Sequence, residues 1–301
     1  MKTKYKRILR PVIVLVLLIL LIFSCSCDLM INNSTNSELS QTTESSLSVH
    51  YLDVGQGDSI FIELPNSQTM LIDAGENYHG EGIINYIKNC GYSKIDYLVA
   101  THPHSDHIGS MAYIVRNFEI GEIYMPKVST TTAIYENLLK SISKKSLKIK
   151  SAAAGMNITA FNDFTADIIA PEVIDEKNLN NSSIVIKMTF GIESFLFMGD
   201  AEKSEINSIT TDVSADVIKV GHHGSRTSTT DDFLERVQPS IAVISCGIDN
   251  DYGHPHESTL KFLNDINCEI YRTDKDKTIT VTTDGNTLNV QTNGISIERE
   301  K

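Results

Sequence analysis

The chain has 301 residues, is 41% hydrophobic and carries a formal charge of −12, enough for one large domain or two ordinary ones. That composition excludes a collagen-like, low-complexity or wholly disordered chain. The acidity argues against a broad basic surface for nucleic acid, though not against a local one.

The N-terminus reads first as an export signal over residues 1–24. "MKTKYKRILR" is basic, Val12–Phe23 is an apolar run of twelve, and "SCSC" supplies small residues, the three parts of such a signal. Twelve apolar residues fall short of the roughly 20 that a spanning helix needs; an uncleaved anchor is the alternative. "IFSC" resembles a bacterial lipobox, which makes Cys25 the expected lipidation site and the membrane an expected partner. A plain signal with incidental cysteines is the other reading. Either way the body of the chain is expected to be exported, on the outer face of the cytoplasmic membrane or secreted. The leader holds five positive charges and no acids, so its loss takes the formal charge from −12 to −17. Cys90, Cys246 and Cys268 are widely spaced and odd in number, which points to small buried hydrophobes and not to a disulfide framework.

Residues 25–46 are the expected flexible linker, polar and rich in Ser, Thr and Asn. From residue 47 the structure signals are dense. "LSVHYLDV", "SIFIELP" and "QTMLIDAG" are predicted strands, the first two joined by the turn "GQGD". "EGIINYIKNCG" has helical spacing with Gly91 as C-cap, and "KIDYLVA" is a strand that runs directly into "THPHSDHIGS". Next come a helix near "SMAYIVRNF", a strand "GEIYMP" and a helix through "TAIYENLLKSISKK". Strands follow at "LKIKSA", "ADIIAP", "SIVIKMTF" and "SFLFMGD", then a helix "EKSEINSIT" and a strand "DVIKV". Helices "DDFLERV" and "ESTLKFLNDI" flank the strand "IAVISCG", and "EIYRT", "TITVTTDG" and "TLNVQTNG" close the chain. This order predicts an α/β fold over residues 47–301: two sheets face to face with helices outside, in one domain.

The histidine cluster carries the chemistry. His102 and His104 are two apart after a strand, so an extended loop turns both the same way. Asp106 and His107 offer a second oxygen and nitrogen set one turn later. Two ligand sets this close point to two divalent ions, Zn²⁺ or Mn²⁺, activating a shared hydroxide. A solvated loop that happens to be rich in histidine is the bland alternative. Asp200 ends an apolar strand, where a carboxylate needs a cationic partner; capping the following helix is its other role. After "DVIKV", either His222 or His223 can turn inward. His223 is the expected ligand, with His222 packing or supporting it.

These segments resemble the metallo-β-lactamase fold superfamily, and more narrowly the soluble domain of ComEC-type DNA-uptake proteins and their stand-alone relatives. The pieces that carry the resemblance are "DVGQGDSIFIELPNSQTMLIDAG", "THPHSDHIGS", "NNSSIVIKM", "FLFMGD", "VIKVGHHGSRTSTT", "YGHPHESTL" and "RTDKDKTITVTTDG". The resemblance implies a four-layer αββα sandwich. It implies that His102 and His104 hold one ion, Asp106 and His107 the other, and that Asp200 bridges them. It also marks a departure: no histidine lies between His107 and His222, where many superfamily members have one. "NNSS" stands there, so Asn180, Asn181 or Ser182 is expected to face the site. The resulting oxygen-rich set implies a weakly held ion or a preference for Mn²⁺.

Asp106, Asp73 and His254 are the residues expected to act in catalysis. Asp73 would orient a ligand histidine or a bound water, or simply serve as a turn residue before Gly75. Asp58 is a turn residue or a supporting group. His254 is an acid or an oxyanion donor, whereas His256 is expected to cap the next helix. Ser225, Arg226 and Asn181 are candidate phosphate contacts. Lys144 and Lys145, within five lysines between Lys140 and Lys150, form a candidate DNA-backbone track or a solvated helix end. His50 and His79 are assigned structural or solvent roles. No nucleotide-cofactor motif is present. The expected activity is an exported metal-dependent phosphodiesterase or nuclease acting on DNA. A small-molecule hydrolase (lactone, β-lactam or phosphate ester) and a non-catalytic metal-stabilised module are the alternatives.

Overall fold

The computed structural model describes residues 45–297. The leader 1–24, Cys25 and the linker as far as residue 44 lie outside the described residues. Among those described, no helix is long and apolar enough to cross a membrane.

Two sheets form the centre. The first contains β1 (Leu47–Tyr51), β2 (Ile60–Glu63), β3 (Thr69–Ile72), β4 (Lys94–Val99), β5 (Glu119–Pro126), β6 (Ile149–Ala152), β14 (Ile279–Thr283) and β15 (Leu288–Thr292), in the order β15-β14-β1-β2-β3-β4-β5-β6. The second contains β7 (Met156–Phe161), β8 (Phe164–Ala170), β9 (Val185–Phe190), β10 (Glu193–Phe197), β11 (Val217–Lys219), β12 (Ile241–Ile244) and β13 (Glu269–Arg272), in the order β13-β12-β11-β10-β9-β8-β7. Each sheet changes from antiparallel to parallel pairing partway across, at β3 in one and β10 in the other.

Side-chain alternation builds the layers. Leu47, Val49, Tyr51, Ile60, Ile62, Met70 and Ile72 face the second sheet, where Phe195 and Phe197 meet them. Phe61 and Leu71 point the opposite way and join Ile83, Ile84 and Ile87 of the helix Gly80–Asn89. On the far side Leu196 packs with Ile206, Phe233, Leu234 and Leu263 from three helices. A period of two sends successive residues to opposite faces, and burying each large apolar side chain contributes about 1.5–3 kcal/mol. The outcome is helix, sheet, sheet, helix, the expected four-layer sandwich.

β7 has no counterpart among the predicted elements. Of its six residues only Ile158 is buried, because it is an edge strand with little pattern to read. The one-turn helices Ser105–Ile108 and Thr273–Asp276 were likewise too short for periodicity. Cys90, Cys246 and Cys268 are free thiols, two of them buried.

Candidate active site

The predicted residues converge at the C-terminal ends of the parallel strands, where an α/β scaffold leaves a crevice. β4 delivers Thr101 and His102; the chain then extends through His104 and coils at Ser105–Ile108, which sets Asp106 and His107. His102 Nε2 lies 3.0 Å from His104 Nδ1. From the second sheet, Asp200 follows β10, and His222 and His223 follow β11 in the turn Gly221–Gly224. Both histidines have left-handed backbones, φ 48° and 54°, a conformation that costs about 1–3 kcal/mol each and persists only where the surroundings enforce it.

Asp200 is the hub. His107 Nε2 is 3.2 Å from its Oδ1, while His102, His222 and His223 present Nε2 at 3.8, 3.7 and 3.6 Å from Oδ2. His223 Nε2 also lies 3.3 Å from Asp106 Oδ2. One ligand atom from each of Asp106, His107, Asp200 and His223 falls within a mutual 4.8 Å. His107 Nε2, His223 Nε2 and Asp200 Oδ1 are buried and in no hydrogen-bonding geometry. Buried polar atoms normally find partners, so three orphans aimed at one point fit a divalent cation. Asp200 does not cap the following helix; Glu202 occupies that position.

The rings are oriented from behind. His107 Nδ1 donates to Asp73 Oδ2 at 2.7 Å, and Thr101 donates its N–H and hydroxyl to the same carboxylate at 2.8 and 2.6 Å. His223 Nδ1 donates to Ser245 O at 3.1 Å and faces Asp58 Oδ1 at 3.4 Å. A ring held by its Nδ1–H in this way would leave its Nε2 lone pair free for a metal. Gly57, at φ 136°, allows this packing: a Cβ there would come within 2.4 Å of Asp106 O, and the next N–H, from Asp58, donates to that oxygen.

Charge follows position. Burial pushes the Asp200 carboxyl up, but His107 and His223 hold it well below the usual carboxylate range. Burial depresses His223, yet Asp200 and Asp106 raise it to about 10. Asp58 is buried beside Lys219, whose ammonium donates to it at 2.7 Å and, with His223, brings its pKa down to about 2 against the upward push of burial. The Asp58–Lys219 pair joins the turn after β1 to β11 across the two sheets. The sequence signal for it was a lysine inside the apolar strand "DVIKV".

A cleft of about 550 Å³ opens over this cluster, lined by His104, Asp106, Asp200, His222, His223, His254 and Asn180, with Gln56 and Tyr252 at its edge. His254 is 9% exposed, and burial with the neighbouring His223 and His222 lowers its pKa to about 4. Other predicted residues sit elsewhere. Asn181 turns from the cleft toward Asp175 and the Glu205 backbone. Ser225 is buried against Thr227, and Arg226 is exposed outside the cleft lining. His256 stands at the helix N-cap but accepts from the Arg226 N–H instead of capping the helix. Lys144 and Lys145 end the helix Ala133–Lys144, whose other end, near Thr132 and Ile134, borders the cleft; twelve residues put them about 18 Å away. Lys145 donates to Phe118 O, while Lys140 and Lys150 pair with Glu136 and Glu122. His50 is held by Glu63, Tyr86 and Thr280, a structural role as expected.

The model of the metallo-beta-lactamase superfamily matches residues 52–248. ComE operon protein 3 of Bacillus subtilis (strain 168) is 32% identical over 251 residues, covering 77% of this chain and 32% of its own length. Recombination protein 2 of Haemophilus influenzae is 28% identical, covering 81% and 30%, and Competence protein ComA of Neisseria gonorrhoeae 27%, covering 77% and 31%. The chain therefore spans about a third of these relatives' length. Among solved structures, Igni18, a metallo hydrolase from the archaeon Ignicoccus hospitalis, is similar at TM-score 0.52 and 15% identity, covering 78% of this chain and 98% of its own. CmlA, a diiron beta-hydroxylase from Streptomyces venezuelae, is similar at 0.52 and 15%, covering 75% and 52%. At such identities the likeness is one of fold alone. Fold, site composition and the match over residues 52–248 agree: the chain belongs to the metallo-beta-lactamase superfamily.

Proposed function

We propose that this chain is an exported two-metal phosphodiesterase whose substrate is DNA. The observation that carries the reading is the convergence of Asp106, His107, Asp200 and His223 at the floor of an open cleft. The competence and recombination proteins it is similar to support DNA as the phosphodiester, and the leader-like residues 1–24 support export with Cys25 as the lipid anchor. Two divalent ions, Zn²⁺ or Mn²⁺, held by His102, His104, Asp106, His107, Asp200 and His223, would lower the pKa of water and offset charge on the attacked phosphate. The chain's own residues do the rest. Asp73 and Ser245 O hold the His107 and His223 rings by Nδ1. His254, neutral at pH 7 because of its lowered pKa, presents a ring N–H to an oxygen gaining charge and so serves as a donor more than as an acid. Asn180 borders the same space and offers an amide to a phosphate oxygen.

The full-length chain loaded with Mn²⁺ or Zn²⁺ should hydrolyse both linear DNA and bis-p-nitrophenyl phosphate. Asp106→Ala/His107→Ala should lose both activities by more than the roughly 100-fold that loss of an outer partner costs. Cleavage of the ester without DNA would favour the second reading, a small-molecule hydrolase. One observation already favours that alternative: the lysine run lies at the far end of its helix and three of its members are tied locally.

A further inference from the structure

The chain has no histidine between His107 and His222, yet five imidazoles surround Asp200 or adjoin those that do. We infer that His222 is a metal ligand in its own right and completes the His102–His104 position, while the adjacent His223 serves the Asp106–His107 position. This rests on the two-metal reading above but not on the identity of the substrate.

Three features carry it. First, the turn Gly221–Gly224 places two consecutive non-glycine residues in left-handed conformation, and the result is that both rings aim Nε2 at the same carboxylate oxygen, at 3.7 and 3.6 Å. His102 approaches that oxygen from the opposite wall at 3.8 Å. Second, a carboxylate stands behind His222 as one stands behind His107. Its Nδ1 lies 3.2 Å from Glu202 Oε1, an ion-pair contact where Asp73 and Ser245 O take hydrogen bonds from His107 and His223. A carboxylate on Nδ1 leaves the Nε2 lone pair for a metal and raises its basicity; a ring that merely packs needs no such anchor.

Third, Glu202 is itself fixed. Thr227 Oγ1 donates to its Oε1 at 2.8 Å and Asn178 Nδ2 to its Oε2 at 2.6 Å. Asn178 belongs to the "NLNNSS" segment that lacks a histidine, so that segment acts on the site at one remove, through Glu202 and His222. With His222 included, the first position becomes three imidazoles and a carboxylate. That set is rich in nitrogen and suits Zn²⁺, unlike the oxygen-rich set expected from the sequence.

The test is calorimetric titration of the metal-stripped full-length chain with Zn²⁺, with bound metal counted by atomic absorption. Wild type should take two equivalents. His222→Ala should keep one and bind the other at least ten-fold more weakly, and Glu202→Gln should weaken that same equivalent by about 10–100-fold. His254→Ala, which removes a neighbouring cleft histidine that forms no ion pair with Asp200, should retain both. Circular dichroism melts of the metal-free variants should overlay on wild type; should His222→Ala be misfolded, Glu202→Gln alone decides. A His222→Ala curve that superimposes on wild type, at one equivalent or two, would overturn the inference. Failure of the wild type to cut any phosphodiester would instead strike the proposed function and leave this titration untouched.

Discussion

Two buried carboxyl groups meet opposite fates in this fold. Asp58, 1% exposed, lies between the sheets with the Lys219 ammonium and the His223 ring beside it, and titrates at about 2. Glu205, 4% exposed, faces a hollow beside Asp175 and Asn181. Neither of its oxygens has a hydrogen bond of good geometry. Burial drives its pKa up to about 9. Burial alone therefore does not decide charge; a dedicated cation does. Lys219 supplies that cation to Asp58.

The largest effect should come from breaking the paired site. Lys219→Met would leave Asp58 buried without its ammonium, and stripping one partner from a buried pair costs about 3–5 kcal/mol. Chemical denaturation should show that loss, and the double variant Asp58→Leu/Lys219→Met should lose less than either single change. A single-variant loss under about 1 kcal/mol, on the scale of an exposed pair, would mean that the pair does not secure the turn after β1.

The unpaired site should respond in the other direction. Glu205 keeps its proton in the folded chain up to about pH 9, whereas the unfolded chain releases it near the ordinary value of 4.5. Its folded form is therefore fully favoured below about pH 4.5 and loses stability as pH rises toward 9. Glu205→Gln should match wild type near pH 4.5 and become the more stable protein above it. The gap should widen by up to about 1.4 kcal/mol per pH unit, reaching about 1–3 kcal/mol near neutrality. Melts at pH 5 and pH 8 that show no divergence would remove the contrast with Asp58.

The smallest effect belongs to an exposed pair. Glu136 and Lys140 sit one helical turn apart at 3.3 Å, with both side chains more than half exposed. Lys140→Ala should change stability by only about 0.3–0.5 kcal/mol, and added salt should erase the difference. If it costs as much as Lys219→Met, burial is not what gives the Asp58 pair its strength.

Much of this protein was legible in the chain. Period-two runs such as "SIFIELP" and "SFLFMGD" set the strands because one face of each must meet the other sheet. The helix Asp231–Val237 matches the predicted "DDFLERV" residue for residue. The spacing of His102, His104, Asp106 and His107 pointed to a candidate metal site because local geometry alone brings those groups close; Asp106 and His107 fall in one group with Asp200 and His223. Contacts across the two sheets were not legible. Lys219 reaches Asp58 over 161 positions, and of Asn180, Asn181 and Ser182, the three expected to face the site, Asn180 lines the cleft while Asn181 turns to Asp175, since one residue of a 3-10 turn rotates a side chain by about 120°. The sequence by itself determined the layered architecture, every strand but β7 and the residue types gathered at the candidate site. Tertiary structure alone decided which nitrogens face Asp200, which carboxylates stay charged and how far the lysines lie from the cleft, because these depend on distances that only packing fixes.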